Sequence, residues 1–218
     1  MTAVEVALGA LPFLWQGLLV TIHVSLLSVA LSLAAGLLLG LALTFGNRLV
    51  YWPIRIFTDV IRGIPILVLL FLIYYLLPFI GIDTTPYWSG VLALSVFKTA
   101  HTIEIVRGSI QSVPHGQFDA GKAIGLTFWQ RMLYVAFPQA LRRFLPPWIN
   151  SVADTVKGSA LVSLLGVVDL MLAVQQAVGR TYVAMPVYVL GALLYFAINY
   201  TLSSLSRRLE SRFAAVRE

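Results

Sequence analysis

The sequence has no cysteine and very few charges: Asp, Glu, Lys and Arg together make up 11% of its 218 residues. Without cysteine there is no disulfide framework, no thiolate metal site and no thiol nucleophile, and the redox compartment is left open. A soluble domain carries about 25% charged residues, so this chain has less than half the usual share. Hydrophobic residues fill the gap at 59% of the total, with a mean hydropathy of +0.89. Also missing are a polar or Pro/Ser-rich linker, a low-complexity stretch and an internal repeat, so residues 1–218 read as a single domain.

What is present is a series of long apolar runs. A hydrocarbon core about 30 Å thick needs roughly 20 apolar residues per helix. No Asp, Glu, Lys or Arg occurs from Val6 to Asn47, from Gly63 to Ile82, or from Thr181 to Ser206. Tyr87 to Val106 is apolar apart from Lys98, His101 and Glu104, and Phe144 to Leu165 apart from Asp154 and Lys157. These runs predict an all-α membrane protein with five transmembrane helices. The first run is too long, and too poor in basic residues before it, for a cleaved signal peptide.

Orientation follows from the basic residues. With five spans and the N-terminus outside, the cytoplasmic segments hold Arg48, Arg55, Arg62, Arg107, Lys122, Arg131, Arg142, Arg143, Arg207, Arg208, Arg212 and Arg217, which is 12 of the 15 Lys and Arg. The outer segments hold only Arg180. The predicted topology therefore has the N-terminus outside and the C-terminus in the cytoplasm. The net charge of +6 is spread along one membrane face, which argues against a nucleic-acid partner and for the lipid bilayer.

Gly36 and Gly40 share a helical face at GxxxG spacing and predict a close helix approach. Asn47 to Ile56, with Pro53, reads as a short interfacial connector. The stretch from 108 to 143 is amphipathic and too long for a tight turn, which marks a functional element. Within it, Asp119 to Gly125 reads as a short helix with Asp119 near its start, where a carboxylate suits the dipole, and Gly125 as its stop. Gly116 to Lys122 also matches the first seven positions of a phosphate-binding loop, but Ala123 stands where a hydroxyl should hold magnesium, and no strand precedes it. Nucleotide binding by this chain is therefore not expected.

Charges inside the membrane are costly and normally face a bundle interior or an aqueous path. Lys98, His101, Glu104, Asp154 and Lys157 are the candidates here. His101 and Glu104 are helical neighbours three apart, as are Asp154 and Lys157, so Asp154 can supply a counter-charge to Lys157. Internal pairing explains the second set better than a transport role does. Lys98, His101 and Glu104 are better explained as lining a path for a zwitterionic solute. His23, His101 and His115 have no ligand-like spacing, and no metal or catalytic constellation is expected.

The stretch from Gln117 to Arg142 resembles the conserved cytoplasmic loop of binding-protein-dependent ABC importer permeases, through Asp119-Ala120-Gly121, Gly125 and Phe137-Pro138. Arg62-Gly63-Ile64-Pro65, Glu104-Ile105-Val106-Arg107-Gly108 and Pro138-Gln139-Ala140 with Pro146-Pro147 and Asn150 resemble the polar amino-acid branch (histidine, glutamate, glutamine, arginine, opines). The resemblance covers residues 15 to 205. It departs from the family pattern at Gly158, where an Asp is usual, and at His101, where Tyr is frequent.

That resemblance implies a MetI-like five-helix permease core in the bacterial inner membrane that imports a polar amino acid. It implies partners: a second permease (the same chain or a paralogue), two ABC ATPase subunits and an external solute-binding protein. It further implies that Asp119, Ala120, Gly121, Gly125 and Pro138 belong to an ATPase coupling element. ATP and magnesium would be bound by the ATPase partners, and this chain itself would be neither an enzyme nor a cofactor protein. The competing reading is a secondary transporter or channel driven by an ion gradient, which leaves the long loop from 108 to 143 without a purpose.

Overall fold

The computed structural model describes residues 3–214; Arg217 lies outside them. Every regular element among the described residues is helical. The order is α1 (Ala3–Gly9), α2 (Leu11–Phe45), α3 (Arg48–Gly63), α4 (Ile66–Phe79), α5 (Pro86–Gln111), α6 (His115–Ala123), α7 (Phe128–Gln130), α8 (Phe137–Gly158), α9 (Leu170–Thr181) and α10 (Ala184–Ala214). A π-helical segment, Arg131–Ala136, joins α7 to α8, and a 3₁₀ segment, Ser159–Leu165, follows α8. Three helices (α2, α5 and α10) are long and apolar enough to cross a membrane. Counting two bent pairs as one span each raises this to five.

The centre of the bundle is α5, packed against α2, α3, α4 and α8. Glycine makes the α2–α5 contact possible. A Cβ at Gly36 would stand 2.5 Å from Thr102 Cβ, and one at Gly40 would stand 2.7 Å from Val106 Cβ. The expected close approach at the GxxxG pair is therefore present, with α5 as the partner. The hydroxyls in this seam are mostly satisfied within their own helix: Ser25 donates to Thr21 O at 2.7 Å, Thr99 to Ser95 O at 2.7 Å and Thr102 to Lys98 O at 2.9 Å. Ser28 is the exception, crossing to Val91 O at 3.3 Å. Hydroxyls paired in this way suit a medium that offers no water.

Three segments differ from the sequence expectation. The connector expected over Asn47 to Ile56 is the first half of a 16-residue helix, α3, capped by the Asn47 side chain. The chain then bends by 110° into α4. The bend has a local cause: Ile64 precedes Pro65, the proline ring disfavours helical backbone before it, and Ile64 is extended. The run expected from Gly63 to Ile82 consequently yields a helix of only 14 residues, about 21 Å long.

The run expected from Phe144 to Leu165 begins earlier, at Phe137, and continues past a break. The chain leaves the 3₁₀ segment through Gly166 at φ +84, and Asp169 then caps α9, accepting from Leu172 N at 2.9 Å. The two halves meet at 53°. The Asp169 carboxylate is fully buried and also accepts from Tyr195 Oη at 3.3 Å, while Leu170 N donates to Thr21 Oγ1 at 3.0 Å. This junction binds α2, α9 and α10 together. Sequence reading missed it, although an acid immediately before an apolar helix is a capping signal.

The loop expected over 108 to 143 is almost entirely helical. α5 extends to Gln111, α6 occupies the middle, and a Thr127–Gln130 capping box starts α7. The π segment lies just before Pro138, which lacks an N–H and crowds the carbonyl four residues earlier. The wider turn gives that crowding room.

Candidate functional site

The charged residues singled out within apolar runs converge on one open cleft of about 590 Å³ between α5 and α8. α5 contributes Lys98, His101 and Glu104, spaced three residues apart so that one face carries all of them. α8 contributes Asn150 and Asp154, four apart on its own facing stripe, and Arg62 at the end of α3 closes one side. The structure thus brings together four of the five expected path residues. Lys157 stands apart from the lining, and Arg62 is a member that sequence reading had placed among the cytoplasmic charges and in a family-like segment but not on the path.

The pairing inside the cleft differs in part from what helical spacing suggests. His101 does not pair with Glu104: its Nδ1–H donates to Phe97 O at 2.9 Å, and its ring lies on the Phe97 ring at a centroid distance of 4.6 Å. That leaves Nε2 available toward the cleft. The Glu104 carboxylate is held from α3 and from its own helix, by Arg55 Nη1 at 2.9 Å and Arg107 Nε at 3.4 Å. Arg55 in turn holds Asp59 at 2.9 Å. Asp154 and Lys157 do pair as expected, at 2.8 Å. Lys98 is only 7% exposed.

The candidate coupling residues lie on a second, separate part of the chain. α6 starts at His115, so Asp119 sits in its middle rather than at its beginning, and the dipole argument for that carboxylate does not apply. Asp119 and Ala120 are exposed, but Gly121 is buried. A Cβ at Gly121 would stand 3.0 Å from Arg131 Cγ, so its lack of a side chain serves packing within this chain. Arg131 Nε, beside it, is buried with no hydrogen-bond partner. Gly125 stops the helix as expected. Its φ is +80, Gly125 N donates to Lys122 O at 3.0 Å and Leu126 N to Gly121 O at 3.0 Å, the two bonds of a Schellman close. Residues 116 to 122 are helical, so they do not form the strand-to-helix loop that wraps a phosphate. Pro138 lies in the first turn of α8.

Comparison with known proteins agrees with this architecture. Residues 32–215 match the family described as binding-protein-dependent transport system inner membrane component. The chain is 36% identical over 205 residues to the glutamine transport system permease protein GlnP of Escherichia coli (strain K12), covering 93% of this chain and 94% of that protein. It is 32% identical over 210 residues to the probable amino-acid ABC transporter permease protein YckA of Bacillus subtilis (strain 168), covering 96% and 93%. Among solved structures, a chain from the crystal structure of an amino acid ABC transporter with histidines superposes with a TM-score of 0.89 at 32% identity, covering 94% of this chain and 96% of that one. A chain of the MetNI methionine ABC transporter in an inward-facing conformation shares the fold, with a TM-score of 0.72 at 21% identity.

Proposed function

The chain belongs to the binding-protein-dependent transport system inner membrane component family, and we propose that its charged cleft between α5 and α8 forms part of the path of a polar amino acid. The protein is the permease subunit of an amino-acid ABC importer, a role held by relatives such as GlnP. It is not itself catalytic; hydrolysis of ATP belongs to partner subunits. The observation that carries the path is the convergence of Lys98, His101, Glu104 and Asp154 from two helices on one cleft. Lys157 stands behind that path as the counter-ion of Asp154. A zwitterion crossing the membrane needs groups of both signs along its way, since each of its charges loses water there.

The topology that supports this reading places the basic ends of the helices in the cytoplasm, with the N-terminus outside and five spans counted as three straight helices and two bent pairs. The membrane is the bacterial inner membrane. The working assembly contains a second permease, two ATPase subunits carrying ATP and magnesium, and a solute-binding protein outside. α6 then serves as the coupling element: Asp119, Ala120 and the exposed Ile124 face the ATPase, while Gly121, Gly125 and Pro138 fix the shape of the segment that presents them.

Reconstitution tests the whole reading. The purified complex in proteoliposomes, given loaded binding protein outside and ATP inside, is expected to accumulate an amino acid and to hydrolyse ATP faster when the solute is present. Uptake that proceeds without nucleotide and follows an imposed ion gradient would overturn it in favour of a secondary transporter. Because the chain has no cysteine, single cysteines at Asp83 and Gly116 report orientation without background. A membrane-impermeant reagent is expected to label the first from outside and the second only from the cytoplasmic face.

A further inference from the structure

The charges around the cleft do not balance. Both of its carboxylates are already neutralised by cations that do not line it: Glu104 by Arg55 and Arg107, and Asp154 by Lys157. Its two cations are not. Among the described residues, neither Arg62 nor Lys98 has a carboxylate oxygen within 4.0 Å, and Asp154 reaches Lys98 only at longer range. Lys98 is 7% exposed, and it lines the cleft with no carboxylate close enough to serve as its own counter-ion. Arg62 and Lys98 both lie near enough to His101 to act on it electrostatically, which places the two cations around one imidazole. His101 adds no acceptor for them through Nδ1, which is spent on Phe97 O.

A buried ammonium without a partner is costly, and an incoming anion that supplies the partner recovers that cost. An amino acid with a neutral side chain brings one carboxylate and one ammonium, and the ammonium finds both cleft acids already occupied. A basic amino acid brings a second cation and fares worse. A dicarboxylic amino acid brings the same ammonium, but its two carboxylates meet two unpaired cations and its net charge is negative. We propose that this cleft selects an anionic, dicarboxylic amino acid, its two carboxylates engaging Lys98 and Arg62. This inference rests on the amino-acid importer reading above and narrows it to one substrate class. The cleft volume of about 590 Å³ leaves ample room for such a solute.

The test is equilibrium binding of L-glutamate, L-glutamine and L-arginine to the detergent-purified permease–ATPase complex without binding protein, beside uptake by the complete importer. Glutamate is expected to bind at least about tenfold more tightly than glutamine, with arginine weakest. Lys98→Met and Arg62→Gln are each expected to weaken glutamate binding about tenfold or more and glutamine binding by less, so that the preference for glutamate shrinks in both variants. Arg62 is exposed, so its variant remains informative if the buried Lys98→Met misfolds. Glutamine or arginine binding as tightly as glutamate would overturn the assignment, as would a glutamate preference that survives both substitutions. An importer that moves glutamine or arginine but not glutamate would leave the broader function standing and overturn this selectivity. Uptake of no amino acid at all would overturn the broader function itself.

Discussion

Arg55 and Glu104, 49 positions apart, close a 2.9 Å ion pair that ties α3 to the central helix α5. Arg107 and Asp59 extend the pair into a four-membered chain of alternating charge. Glu104 therefore both lines the cleft and fixes the position of α3. Glu104→Gln is expected to lower uptake and also to lower the melting temperature of the purified permease. In a double-mutant cycle with Arg55→Gln, the two stability losses are expected to be non-additive by roughly 1 kcal/mol. Additive losses would show that the pair is not coupled in the membrane.

Asp154 and Lys157 test whether a pair serves function or only mutual neutralisation. Asp154→Asn leaves Lys157 without its 2.8 Å partner, and uptake is expected to fall several-fold. If pairing is all that matters, adding Lys157→Met to that variant restores most of the rate. A double variant as poor as Asp154→Asn alone would assign the carboxylate a direct part in transport.

Gly125 offers a test in which backbone shape is separated from bulk. Its φ of +80 disfavours side chains, yet nothing lies within 4 Å of where its Cβ would be. Gly125→Val is expected to destabilise the α6 stop by roughly 1–2 kcal/mol, to leave membrane insertion unchanged and to weaken ATPase recruitment. Gly125→Asn, which tolerates the left-handed region, is expected to recruit the ATPase more nearly as the native chain does. Equal recruitment by both variants would show that the left-handed close is not what the ATPase reads.

The interlock between α2 and α5 gives a prediction with a built-in control. Gly36→Ala forces a methyl group to 2.5 Å from Thr102 Cβ and is expected to cost roughly 1–3 kcal/mol of stability in detergent. Gly179→Ala in α9 meets nothing within 4 Å and is expected to be neutral or slightly stabilising. Thermal unfolding followed by size exclusion reads both. Equal losses would mean that helix propensity, not the clash, decides.

The apolar helices and the charges that line the cleft were legible in the sequence because both are signals of contrast: apolar runs against a polar background, and isolated charges against apolar runs. Lys98, His101, Glu104 and Asp154 stand out for that reason and do meet in space. What was not legible depends on direction or on distant partners. Hydropathy reports that 63 to 82 is apolar but not that Pro65 turns the chain by 110°. Local spacing set His101 beside Glu104 on one face but could not give their partners: Arg55 of α3 and Arg107 for Glu104, and the Phe97 carbonyl for His101. The packing of Gly121 was hidden on the same ground, because its neighbour Arg131 belongs to a later segment.

The two faces of α5 carry separate burdens. One, with Thr102 and Val106, is seated on glycines of α2 by shape alone, and the other, with His101 and Glu104, lines the cleft. Lys98 stands one turn before Thr102 and borders both. A substitution at His101 therefore reshapes the lining of the cleft while the pillar that holds the bundle upright stays as it is.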